Sequence, residues 1–193
     1  MLRLILASCL LAVTTIAQAD ADLLAELTRR SVAIQTLEGS FVQTKSIAVL
    51  PVPITSTGKF SFDRKVGVLW ETLEPVRNSL QISAGTIKFE DAQGKSLLEG
   101  QGPAAGAEVI ARIFSGVIAG DLAALNEYFV ATSAGSSTKW QIILVPRSPN
   151  LAAYIKKIEL QGHEITEQLD IAEANGDATR IQLTTGKVTR TAP

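Results

Sequence analysis

The sequence predicts an α+β fold, a long antiparallel sheet of about eight to eleven strands covered by two or three helices. Short runs of alternating apolar and polar residues recur along most of the 193 residues. No helical pattern of about ten or more residues interrupts the first group of strands, so they pair antiparallel rather than through parallel crossovers. Apolar residues at helical spacing are confined to a segment near the N-terminus and another between about residues 104 and 119.

The chain opens with the pattern of an export signal. Arg3 supplies a positive start, Leu4 to Ile16 an apolar stretch, and Ala17-Gln18-Ala19 the small-x-small motif at which signal peptidase cuts. Cleavage after Ala19 leaves a mature chain beginning at Asp20. The apolar stretch falls short of the roughly 20 residues a membrane-spanning helix needs. Leu6-Ala7-Ser8-Cys9 also has the look of a lipoprotein processing box, but only Met1 to Ile5 precede it, so Cys9 reads as part of the discarded leader. The mature chain then has no cysteine and draws its stability from its core. The roughly 174 residues from 20 to 193 suffice for a single domain.

Asp20 or Asp22 is placed to cap a helix bearing Leu23, Leu24, Leu27 and Ile34 near one face, with Gly39 as its end. Strands follow over Ser40 to Ser46, Ile54 to Phe62 and Val66 to Trp70, then around Leu80-Ile82 and Ile87-Phe89. Gly102-Pro103 starts a helix that Gly120 ends, with Val109, Ile110, Ile113, Phe114, Val117 and Ile118 as its apolar stripe. A short third helix fits Asp121 to Glu127. Four further strands centre on Trp140-Leu144, Ile158-Leu160, Leu169-Ile171 and Ile181-Leu183, and Asn175-Gly176 marks a hairpin between the last two. Such a sheet curls, and the helices are the available cover for its apolar face. Periodicity leaves open whether they pack tightly on it or enclose a void.

Composition excludes several function classes. The net charge is −1, or about −2 without Arg3, and no basic face is concentrated enough to recognise nucleic acid. Gly100-Gln101-Gly102-Pro103-Ala104-Ala105 fits G-x-G-x-x-A after a strand-like Leu97-Leu98, yet no second parallel strand ends in an acidic residue where a dinucleotide site needs one. His163 is the only histidine, which rules out a multi-histidine metal site, and it falls in the hairpin turn predicted at Gly162-His163-Glu164. Glu71 and Glu74 have opposite strand parity and make no carboxylate pair. The residues point to no enzyme, no metal and no cofactor.

Leu37 to Pro75 carry a more specific signal. Phe41-Val42-Gln43, Gly58, and Trp70 followed after four residues by Pro75 resemble, in order and spacing, the Phe-x-Gln strand, the strand-opening glycine and the Trp-x4-Pro element of the periplasmic outer-membrane lipoprotein carriers, the LolA-like family. About forty residues match specifically; the later elements follow the family's order with little identity. The resemblance implies an incomplete barrel around an apolar cavity that takes acyl chains under a helical lid. It makes Phe41, Phe60, Trp70, Ile110, Ile113, Phe114 and Trp140 candidate cavity residues. It also aligns Arg64 with an arginine that latches the lid to the sheet, although Lys65 replaces the proline that follows it. The implied function is a monomeric carrier that moves an acylated lipoprotein or glycolipid from an inner-membrane donor to an outer-membrane acceptor. The same scaffold also serves envelope-stress sensors, which is the alternative. Two departures from the family pattern, the lack of the carriers' C-terminal extension after the Leu183 strand and the apolar segment Ile47 to Ile54, point to a specialised paralogue serving a glycolipid or aryl-polyene system. That segment reads either as a protruding tip that touches a membrane or partner, or as a buried edge.

Overall fold

The structure is a computed structural model that describes residues 11–83, 86–98, 114, 116–118 and 122–191. Helix α1 (Leu11–Ala33) leads into β1 (Ile34–Ser46), and a meander of β2 (Ile54–Asp63), β3 (Gly67–Glu74), β4 (Asn78–Ser83) and β5 (Thr86–Asp91) follows. Phe114 and residues 116–118 are helical. The second half runs through α2 (Leu122–Leu125), β6 (Phe129–Ser136), β7 (Lys139–Pro146), α3 (Pro149–Ala152), β8 (Ile155–Gly162), β9 (Thr166–Glu173) and β10 (Ala178–Arg190). The ten strands form one curved, open antiparallel sheet in the order β5-β4-β3-β2-β1-β10-β9-β8-β7-β6, so the first and last strands pair at its centre.

Alternation puts one continuous apolar face on this sheet. Val68 opposes Ile82 and Phe62, Trp70 opposes Phe60 and Leu80, and Phe41 opposes Leu183. On the other half, Leu160 lies between Ile142 and Leu169. Nearly all of these side chains are buried and belong to a single core. Residues of period two that face helices lose their apolar area to the core, while their neighbours stay wet. From α1, Leu27 joins that core with Leu23 and Leu24 at its margin, and the helix packs against β6, β1 and α2.

The connections divide between two rims. The C-terminal end of α1 shares one with the β2–β3, β6–β7 and β8–β9 turns, and Arg30 donates from α1 to the Ser137 carbonyl there at 2.6 Å. The opposite rim carries the β1–β2, β3–β4 and β9–β10 connections and α3. Ser148 caps α3 by accepting from the Leu151 N–H, with Pro149 in its first turn.

Several expectations need correction. Asp20 and Asp22 lie inside α1, which runs from Leu11, rather than capping it. The helix ends at Ala33, Ile34 opens β1, and Gly39 lies within that strand. Gly39 is required by close packing: a Cβ there would collide with the Thr184 carbonyl and stand 2.8 Å from the Phe60 ring. The third helix is one turn, shorter than Asp121 to Glu127. Leu97-Leu98 forms no strand, only a bend after a bridge between Glu90 and Ser96. Strand β6 was absent from the periodic reading because Ala131, Thr132, Ser133, Ala134 and Gly135 are too small and uniform to show alternation. Cys9 and Gly100 to Ala105 lie outside the described residues, as do the ends of the helix expected over 104–119.

Candidate functional site

The covered face of β1, β2 and β3 holds an aromatic cluster. Phe41 stacks on Trp70 with centroids 3.7 Å apart and planes 19° from parallel, and Phe60 lies 5.9 Å from Trp70 with planes 26° apart. Two glycines make room for it. Gly58 pairs with Phe41 across β1 and β2, and a Cβ on Gly58 would stand 2.6 Å from the Phe41 ring; Gly39 does the same for Phe60. Each ring can therefore lie flat over the neighbouring strand. From the helical layer Phe114 meets Trp70 edge-on at 5.0 Å and 82°. That geometry sets a positive ring edge against a negative ring face.

Trp140 belongs to a second region. Its indole N–H donates to the His163 carbonyl at 2.6 Å, and its ring lies over Gly162. It borders a cavity of about 30 Å³ with Leu27, Ile34, Ile118, Leu122 and Ile165, between α1, the 116–118 helix and β7–β8. That volume holds about one water. Of the seven candidate cavity residues, the structure brings Phe41, Phe60, Trp70 and Phe114 together and places Trp140 apart; Ile110 and Ile113 lie outside the described residues. The glycines opposite the aromatics were the sequence signal that alternation alone passes over.

Arg64 sits in the β2–β3 turn and reaches the end of α1. Its Nε donates to the Ile34 carbonyl at 2.8 Å and its Nη2 to the Ser31 carbonyl at 2.7 Å, while its backbone N–H bonds Gln35. Helix ends leave carbonyls without intrahelical donors, and a guanidinium with five N–H groups is suited to them. The helix it holds is thus α1. Its guanidinium also lies 5.7 Å from the Phe62 ring centre.

Among the described residues no ionisable side chain is buried in the apolar core. The Glu26 carboxyl is held below the usual carboxylate range by hydrogen bonds from Arg29 and Arg30, and the same contact raises Arg29. Glu159 is also lowered, first by the Lys157 hydrogen bond and then by Gln141, against an opposing push from burial. His163 bonds Glu167 at 2.9 Å on the exposed rim. Among the described residues no group of three potential metal ligands forms, and no helix is long and apolar enough to cross a membrane.

An open curved sheet with helices over an aromatic face matches a known family. Residues 13–192 fit the family described as "Outer membrane lipoprotein carrier protein LolA-like". The chain belongs to it. LolA-like proteins are periplasmic carrier or lipid-binding proteins rather than enzymes. Among solved structures, MucB is similar at 15% identity and TM-score 0.50, over 91% of this chain and 60% of MucB, so the chain spans less than two thirds of that protein. A LolA superfamily protein from Nitrosomonas europaea aligns at 8% identity and TM-score 0.45, over 90% of this chain and 94% of that one. A putative outer membrane lipoprotein-sorting protein domain from Vibrio parahaemolyticus aligns at 11% identity and TM-score 0.42, over 91% and 94%. At these identities the likeness is one of fold. Comparison with curated protein sequences gives no match.

Proposed function

We propose that this LolA-like protein is a periplasmic carrier that holds the acyl chains of a lipoprotein or glycolipid against its apolar face and delivers them toward the outer membrane. The observation that carries this reading is the joint between Trp70 and Phe114. Within the sheet Phe41 and Trp70 stack face to face, whereas among the described residues the helical layer meets that cluster through Phe114, edge-on and half buried. Cargo enters by parting that joint. The cavity beside Trp140 is too small for an acyl chain, and on this reading the helices move off the sheet to admit one.

The energetics suit a shuttle. Each buried methylene contributes about 0.8 kcal/mol, so eight to ten of them give roughly 6 to 8 kcal/mol before binding costs. That corresponds to micromolar affinity at best, which lets cargo leave as well as enter. On this reading residues 1–19 are an export signal cut after Ala19, and residues 20–193 form one monomeric domain. It takes cargo from an inner-membrane donor complex and passes it to an outer-membrane acceptor. Phe41, Phe60, Trp70 and Phe114 line the acyl site, and Arg64 governs closure through α1.

Native mass spectrometry of protein isolated from the periplasm tests the proposal. Acylated species co-purifying with the chain are the expected result. A preparation free of acylated species but bound to a membrane regulator would replace the carrier with a sensor on the same scaffold.

A further inference from the structure

The β1–β2 connection was open between a buried edge and a protruding tip, and the structure makes it a tip. Val49 is 87% exposed and Val52 69%. Pro51 and Pro53 stiffen the segment, and the Leu50 N–H bonds the Ile47 carbonyl. Exposed apolar side chains recur along the same rim: Val76 in the β3–β4 connection is 70% exposed and Tyr154, just before β8, is 75% exposed. These are not isolated surface residues. The Ala48 N–H bonds Asp177 Oδ1 in the β9–β10 turn at 2.9 Å, and the Ala174 N–H of that turn bonds the Tyr154 carbonyl at 2.9 Å. Hydrogen bonds thus tie three successive connections into one fixed rim, with Val76 on the next connection along.

We infer that this rim docks on a phospholipid bilayer, with Val49, Val52, Val76 and Tyr154 entering the headgroup–acyl boundary. The β1–β2 tip exposes the apolar run Ala48 to Ile54, whereas Val76 and Tyr154 stand singly on neighbouring connections, a narrow protruding shape and not the broad patch of about 800 Å² per partner that a stable protein interface needs. A bilayer accepts such tips one by one, and tyrosine favours its interface. The charges agree. Arg77 follows Val76 and Lys156 follows Tyr154, and neither has an ion pair among the described residues. Of the acids on this rim, Glu173 pairs with Lys45 and Asp177 bonds Ala48 and Asn175, while Glu74 stands exposed at the end of β3, three positions before Arg77. The two cations are therefore placed to meet lipid phosphates. Docking here is independent of cargo binding, because the rim lies at the far end of the sheet from the Arg64 contact with α1.

The test is flotation of the purified protein with vesicles of phosphatidylethanolamine and phosphatidylglycerol. Wild type floats with the vesicles, and Val49→Asp and Tyr154→Asp each weaken binding about tenfold or more. Val66→Asp, an exposed valine on the opposite rim, leaves it unchanged. A tryptophan introduced as Leu50→Trp shifts its emission to the blue on adding vesicles, against the constant background of buried Trp70 and Trp140; Val66→Trp does not shift. Equal binding by all variants, or no vesicle-dependent shift at Leu50→Trp, overturns the inference. Self-association without vesicle binding, lost in Val49→Asp, assigns the rim to a second copy of this chain instead.

Discussion

Single residues decide how the aromatic cluster is built. Gly58 has no room for a side chain, since a Cβ would collide with the Glu71 carbonyl and press on the Phe41 ring. Gly58→Ala is therefore expected to destabilise the protein by about 1–3 kcal/mol in urea denaturation. Gly186→Ala should be near neutral, because a Cβ there meets nothing closer than the Glu38 carbonyl at 3.5 Å. Arg64→Leu removes both donors to the Ser31 and Ile34 carbonyls while leaving the strands intact. It should cost about 1–3 kcal/mol and speed the exchange of a bound hydrophobic dye, whereas an unfolded variant would make Arg64 a plain folding residue. Phe41, Phe60 and Trp70 were legible in the sequence because aromatics at alternate positions point to one face. The separation of Trp140 from them was not, because it depends on strand order, which no local pattern encodes.

Elements differ in how firmly they are held, and substitution to glutamate reveals it. Ile118 is buried beside the small cavity, so Ile118→Glu forces a carboxylate into packed surroundings and should unfold the protein. Phe114 is half buried at the joint, so Phe114→Glu can turn outward; circular dichroism should show a retained sheet while dye uptake falls. Helix α1 carries its own acid-sensitive tie. Glu26 is depressed in the folded state, so its contribution is present above the ordinary carboxylate pKa of about 4.3 and is lost as pH falls through the lower folded value. Backbone amide shifts around Arg29 and Arg30 should follow that acid titration and lose it in Glu26→Gln. The strand meander was readable from period-two runs, and the bounds of α1 were not. Its end depends on Arg64, a residue some thirty positions further along the chain that accompanies no local stop signal.

At the scale of the molecule, composition and alternation were enough for one antiparallel sheet covered by helices. They could not order the strands, because a meander that continues and one that doubles back have the same periodicity. The observed order places β1 beside β10 over their whole lengths, from Ile34 opposite Arg190 to Ser46 opposite Ala178. That seam sets a timetable for biogenesis. A chain emerging from its N-terminus can form the β1–β5 half and the β6–β9 half, but it cannot join them until its final segment arrives. Until then β1 and β9 are raw edges open to pairing with other chains. A chain ending at Asp177 should therefore aggregate or be degraded, and a synthetic peptide of residues 178–191 supplied in trans should restore soluble, protease-resistant protein. Recovery of a stable fold without the peptide would show that the halves mature independently. On that expectation the last strand made is the one that closes the sheet.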